Sequence, residues 1–136
     1  MHVNLEPDPT APGQARRRLV AELRSSGVDP ETIDDACLLL SELTTNAVLH
    51  AGSPFSVDVT VNSGRVHLEV IDLSPDPPRR VPPTTTHRPG LAIVEEIALH
   101  WGSDPAGGGK VVCCDLPARR REPASGASRR QPLTTR

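Results

Sequence analysis

The sequence predicts an α/β domain, and three observations lead there. Apolar residues Ile33, Ala36, Leu40, Leu43 and Ala47 recur at the i, i+3, i+4, i+7 spacing of a helix packed on a core. Phe55, Val57, Val59 and Val61, and then Val66, Leu68 and Val70, recur at every second place, as in strands with one buried face. A chain of 136 residues with 36% apolar content is long enough for one domain with a single core. Phe55 and Trp101 are its only aromatic residues, so that core is aliphatic.

Taken in order, His2 to Leu5 reads as a short first strand. Pro7-Asp-Pro-Thr-Ala-Pro12 holds too many prolines for regular structure and reads as a link. Ala15 to Ser26 reads as an amphipathic helix with Leu19, Val20 and Leu23 inward and Arg16, Arg17, Arg18 and Arg24 outward. Those arginines are either a solvated face or a dock for an acidic partner. Gly27 is the natural stop. The second helix starts with Asp29 as N-cap and Pro30 at its first position, where a missing N–H costs nothing. Acidic Glu31, Asp34 and Asp35 crowd its first turns, as the helix dipole favours. It runs to about Ala51, and Gly52-Ser-Pro54 ends it.

Two strands follow, Phe55 to Val61 and Val66 to Asp72, joined by a tight turn at Asn62-Ser-Gly64. Residues 73–89 carry six prolines and read as an irregular lid, since a loop this long is usually functional or disordered. Gly90 to His100 reads as a third helix with Leu91, Val94, Ile97 and Ala98 inward, closed by Trp101-Gly102. Its free N–H groups just after Gly90 suit phosphate oxygens. Gly107-Gly-Gly109 is a turn and Lys110 to Leu116 a last strand. Residues 1–117 form the domain; residues 118–136, rich in Arg, Ser, Pro and Thr, form a disordered basic tail.

Composition excludes several classes. The net charge of -2 gives no bulk attraction for nucleic acid. No apolar run approaches the ~18 residues that span a bilayer, and the first residues lack a basic-then-apolar signal pattern. The three cysteines, Cys37, Cys113 and Cys114, have neither a disulfide framework nor a metal spacing. Small buried hydrophobes in a reducing cytoplasm is the expected role, and a cytoplasmic location the expectation.

The second helix carries the candidate chemistry. Glu42, Asn46 and His50 follow each other at i, i+4 and i+8, along one line beside the apolar stripe. A carboxamide oxygen suits a hard cation such as Mg²⁺, and a carboxylate one turn away can take a proton from an attacking hydroxyl. A solvated helix face is the competing reading of the same residues. His50 either caps helix carbonyls or reaches a phosphate. Asp72, ending its strand, either accepts a hydrogen bond from an exocyclic amine or serves as a turn residue.

The order of these boxes carries a resemblance. Glu42-Leu-Thr-Thr-Asn46-Ala-Val-Leu-His50 resembles the N-box of the GHKL ATPases, the superfamily of gyrase B, the sensor histidine kinases and MutL. Ser41 to Gly52 as a whole is similar to the bacterial anti-sigma-factor serine/threonine kinases, small ATP-binding regulators common in actinomycetes. Val70-Ile-Asp72, Gly90-Leu-Ala-Ile-Val-Glu95, Ala98 to Gly102 and Gly108-Gly-Lys110 fall in the family's order, so the likeness covers roughly residues 10–117. It implies a two-layer α/β sandwich of the Bergerat type, a mixed sheet covered on one face by helices. ATP and Mg²⁺ are the implied cofactors. Carried over by motif, Glu42 is the general base on a serine hydroxyl and Asn46 holds Mg²⁺ on the phosphates. Asp72 binds the adenine amine. Gly90, with Leu91 after it, lets the backbone approach the phosphates, with His50 and Arg88 as further nucleotide contacts. The implied partners are an anti-anti-sigma protein of STAS type and a sigma factor, with no direct nucleic acid and no membrane. Members of the family often form homodimers.

The chain departs from the family at its glycine loops. Ser74 and Asp76 stand where glycines are expected, and each Cβ opposes a positive φ or a close approach to the base. The second box reads Arg88-Pro-Gly-Leu91, with one glycine replaced by a proline that has no N–H. Val111 replaces a hydroxyl expected beside the strand-ending Asp. The implied function is an ATP-dependent protein kinase acting by partner switching. The alternative is a binding-only anti-sigma module of the same fold with impaired nucleotide binding. A nucleic-acid binder acting through the basic tail is a third reading, against which the net charge argues.

Overall fold

The computed structural model describes residues 1–72 and 96–119, apart from the side chains of residues 50 and 51. The elements are β1 (His2–Leu5), α1 (Ala11–Ser25), α2 (Pro30–Asn46), a π-helical turn (Ala47–Ala51), β2 (Phe55–Asn62), β3 (Arg65–Asp72), β4 (His100–Ala106) and β5 (Gly109–Pro117). The five strands form one sheet in the order β1-β2-β3-β5-β4. The fold is the expected α/β sandwich. One detail differs: all four strand pairings are antiparallel, so the described sheet is not mixed.

Both helices form for the reasons read from the chain. Asp29 caps α2, its side chain accepting from the Thr32 N–H at 2.9 Å, with Pro30 in the first turn. Hydrogen bonds from the Thr32 side chain, then from its backbone N–H, hold the Asp29 carboxyl below its usual range. Helix α1 starts at Ala11, four residues before the expected Ala15, because Pro12 is admitted at its N-terminus. Gly27 and Gly52 end the two helices at φ 73° and 58°, left-handed values that a Cβ opposes. Arg16, Arg17, Arg18 and Arg24 are exposed.

One core lies between the layers. Leu19 and Leu23 of α1 and Ala36, Leu39 and Leu40 of α2 are fully buried, as are Val57, Val66 and Leu68 of the sheet. The alternation on β2 and β3 thus puts the predicted positions inward, although Val61 at the end of β2 is only half-buried. Among the described residues no helix is long and apolar enough to cross a membrane. The three cysteines are free. Burial pushes the Cys114 thiol up to about 12.

Two expectations fail around residue 100. Only Glu96 and Ile97 of the described chain are helical there, and His100 opens a strand instead of ending a helix. Trp101 and Gly102 lie inside that strand. Gly107 and Gly108, at φ 54° and 87°, form a two-residue hairpin turn, and such a turn requires a strand on both sides. Pro105 is tolerated because β4 is an edge strand. Gly90, Leu91 and Val94 of the expected helix, and the expected lid at 73–89, lie outside the described residues. The chain past Pro117 keeps two backbone contacts: the Ala118 N–H donates to the Gly64 carbonyl, and the Arg119 carbonyl accepts from the Asp29 N–H, both at 2.9 Å. The remainder of the expected tail lies outside the described residues.

The sheet face turned away from the helices holds a polar cluster. His67 of β3 has Nε2 2.8 Å from the Glu69 carboxylate and Nδ1 2.6 Å from the Asp115 carboxylate of β5. Arg65 lies 3.8 Å from Asp115. The hydrogen bond to Glu69, then those to Asp115, raise the His67 pKa above its ordinary 6.5 against the pull of burial. A raised histidine pKa contributes stability that is whole below about pH 6.5 and lost as pH rises through the folded value. Wild type should therefore exceed His67→Gln in urea midpoint by most near pH 6, with the gap closing toward pH ~9. A gap that stays constant in urea melts across that range contradicts this assignment. Leu68, fully buried on the central strand, should cost about 3 kcal/mol when cut to Ala, because a cavity adds to the lost transfer energy. A loss under about 1 kcal/mol in the same melts would mean that the layers collapse onto the gap.

Candidate functional site

Helix α2 brings Glu42 and Asn46 to the edge of the core. Its stripe Ile33, Ala36, Leu40, Leu43 and Ala47 is buried as predicted, and Leu39 and Thr44 are buried beside it. Thr44 satisfies its hydroxyl within the helix, donating to the Leu40 carbonyl at 2.7 Å. With that stripe fixed on the sheet, Glu42 and Asn46 fall on its flank and are half-buried. The solvated-face reading of these residues is thereby set aside.

Asn46 carries the clearest sign of an incomplete environment. Its Nδ2 is buried and, among the described residues, has no hydrogen-bond partner. A buried polar group left unmatched costs about 1–3 kcal/mol, so such groups call for an explanation. A half-turn of the carboxamide exchanges its nitrogen and oxygen, so the site can present either a donor or an acceptor. No group of three or more His, Cys, Asp or Glu side chains among the described residues could hold a metal ion. A cation at Asn46 would therefore depend on oxygens brought by a ligand and by water, the mode that Mg²⁺ prefers.

Just past Asn46 the helix changes pitch. Ala47–Ala51 is π-helical, and single π turns are uncommon outside functional sites. The His50 side chain itself lies outside the described residues, as do Arg88, Gly90 and Leu91.

Asp72 stands at the same end of the sandwich. The helix returns through Gly52 into the start of β2, where Ser56 pairs with Ile71 next to Asp72. The Asp72 side chain faces the helix layer, in phase with Val66, Leu68 and Val70, and is 3% exposed. The turn-residue reading is excluded by that burial. Its carboxylate holds Lys110 of β5: Nζ lies 3.2 Å from Oδ1 and 3.1 Å from Oδ2. Lys110 is itself buried and sits directly across from Asp72 in the strand register. Val111 pairs with Ile71 on the other face, so the position beside the Asp belongs to Lys110 and not to Val111.

Lys110 is the residue that the sequence reading missed. The signal was available: counting back by twos from buried Leu116, Cys114 and Val112 places Lys110 on the inner face. Removing one partner of such a buried pair strands the other and costs about 3–5 kcal/mol.

At one end of the fold, then, a half-buried carboxylate, an unmatched carboxamide and a buried carboxylate–ammonium pair lie near a change of helical pitch. The arrangement can bind a ligand that brings both polar ring atoms and anionic oxygens. No curated protein matches the chain. Among solved structures, that of the RsbU and RsbW domains of Rv1364c from Mycobacterium tuberculosis is similar, with a TM-score of 0.67 and 22% sequence identity. The match covers 89% of this chain and 33% of that chain, so this protein spans about a third of that solved chain, and the likeness speaks to the fold. A family model described as the histidine kinase-like ATPase domain matches residues 5–113. With the match spanning all of α1, α2, β2, β3 and β4, the chain belongs to the histidine kinase-like ATPase domain family.

Proposed function

We propose that this domain binds Mg-ATP and transfers the γ-phosphoryl group to a serine or threonine hydroxyl of a partner protein, as an anti-sigma-type kinase. The observation that carries the reading is the buried Nδ2 of Asn46, without a partner among the described residues, one helical turn from Glu42. Asp72 and Lys110 supply a polar floor at the same end of the sheet. The likeness of Ser41 to Gly52 to the anti-sigma kinases supports the choice of partners: a STAS-type anti-anti-sigma protein as substrate and a sigma factor as the protein released or held.

Each residue has a definable task. Glu42 accepts the hydroxyl proton as the serine oxygen attacks the γ-phosphorus, the bond from phosphorus to the β,γ-bridging oxygen breaks, and ADP leaves. Asn46 would hold Mg²⁺ through its carboxamide oxygen together with phosphate oxygens and water, and the ion would offset the phosphate charge. Asp72 accepts from the exocyclic amine of adenine. The half-buried position of Glu42 and Asn46 limits competition from water for both.

A binding-only module remains the second reading, favoured by Ser74, Asp76 and Pro89 at places where the family has glycines. Calorimetry separates the two. The kinase reading expects heat on titrating Mg-ATP at micromolar to millimolar concentration. It expects Asn46→Ala to lose at least about tenfold in affinity with Mg²⁺ present and little in EDTA. Glu42→Gln should keep binding and lower phosphoryl transfer by about 10²–10⁴-fold. No heat at millimolar nucleotide, with partner capture unchanged in Asn46→Ala, leaves the binding-only module.

A further inference from the structure

Lys110 of the Asp72–Lys110 pair has more donor capacity than the described residues take up. An ammonium carries three N–H groups. Lys110 Nζ contacts the two Asp72 oxygens at 3.2 and 3.1 Å, and among the described residues no other acceptor is recorded for it. The group is only 7% exposed, so water does not readily take up what is left over. A purely structural tie between β3 and β5 is a poor account of this. Buried ion pairs add little stability over apolar residues of the same shape, and among the described residues this one leaves a charged donor incompletely matched. The alternation that buries Val112 and Cys114 also directs Lys110 into the helix-facing layer, at the end of the sheet where α2 finishes.

We infer that Lys110 is a base-reading residue: its remaining N–H donates to the purine ring nitrogen next to the exocyclic amine, while Asp72 accepts from that amine. The inference rests on the nucleotide reading above and adds a second recognition atom to it. An acceptor beside a donor on the protein matches the donor beside an acceptor on the adenine edge. The ammonium also neutralises Asp72, so a neutral base meets a neutral pair and not a bare buried carboxylate. Lys110 then determines which base is taken, and it does so from the strand position directly opposite Asp72.

The test uses ligand atoms. ATP, 1-deaza-ATP and 7-deaza-ATP, each lacking one candidate ring nitrogen, are titrated into the full chain with Mg²⁺. Losing a hydrogen bond from a charged donor should weaken one of the two analogues by roughly tenfold or more. Attribution to Lys110 uses Asp72→Asn/Lys110→Met, which removes both charges together and leaves neither stranded. In that variant the ratio of ATP to analogue affinity should fall to about one. Equal binding of ATP and both analogues by the wild-type chain overturns the inference and leaves the nucleotide reading standing. A ratio that survives in the double variant overturns it as well, by assigning the ring nitrogen to another group. Absence of any ATP binding removes the nucleotide reading and this inference with it. The analogue series on the unaltered chain stands even if the double variant does not fold.

Discussion

Helix α2 has one way to sit on the sheet, and the site follows from that. Five positions at helical spacing, from Ile33 to Ala47, are buried against strands whose inner face is Val57, Val66, Leu68 and Val70. Turning the helix by one residue, about 100° of arc, would bring Glu42 or Asn46 into the aliphatic core or push Leu40 and Leu43 into water. The cost of either is several kcal/mol. The packing of apolar carbon therefore fixes the direction of two polar side chains that take no part in it. Precise placement of a chemical group comes from the rigidity of the element beneath it.

The same logic governs the sheet end. Alternation along β3 buries Val66, Leu68 and Val70, and the fourth step buries Asp72. A carboxylate there requires a partner, and the antiparallel register places Lys110 across from it. The alternation that buries Val112, Cys114 and Leu116 of β5 keeps Lys110 on that face, and a one-residue slip of β5 against β3 would turn Lys110 to the far face and Val111 to the near one.

Much of this was legible in the sequence. The α2 stripe, its Asp29 cap, its stop at Gly52 and the faces of β2 and β3 are local patterns, each set by residues a few places apart. What escaped was non-local or ambiguous. The apolar spacing from Gly90 to His100 suits a helix, and Glu96 and Ile97 are helical, yet His100 does not end it but opens a strand whose residues pair with β5 as far as Ala106. Pro12 suggested a break, although a proline in the first helical turn is permitted. The antiparallel sheet could not be read from strands taken singly. Of the candidate site, Glu42 and Asn46 lie at the end of α2 and Asp72 at the end of β3. Lys110 escaped because its neighbour Val111 drew attention as a missing hydroxyl, and only the register shows which of the two faces Asp72.

Under the nucleotide reading proposed above, these pieces make one site with two kinds of recognition. Its floor, the carboxylate–ammonium pair on β3 and β5, suits the polar edge of a base. Its wall, the end of α2 with Asn46 and Glu42, suits phosphate oxygens, a metal and a proton in transit. The most direct test is a crystal structure of the full chain with Mg²⁺ and a non-hydrolysable ATP analogue. The account predicts adenine against Asp72 and Lys110, and the phosphates with their metal at Asn46. Nucleotide bound elsewhere on the molecule, with the Asn46 amide still unmatched, would contradict it.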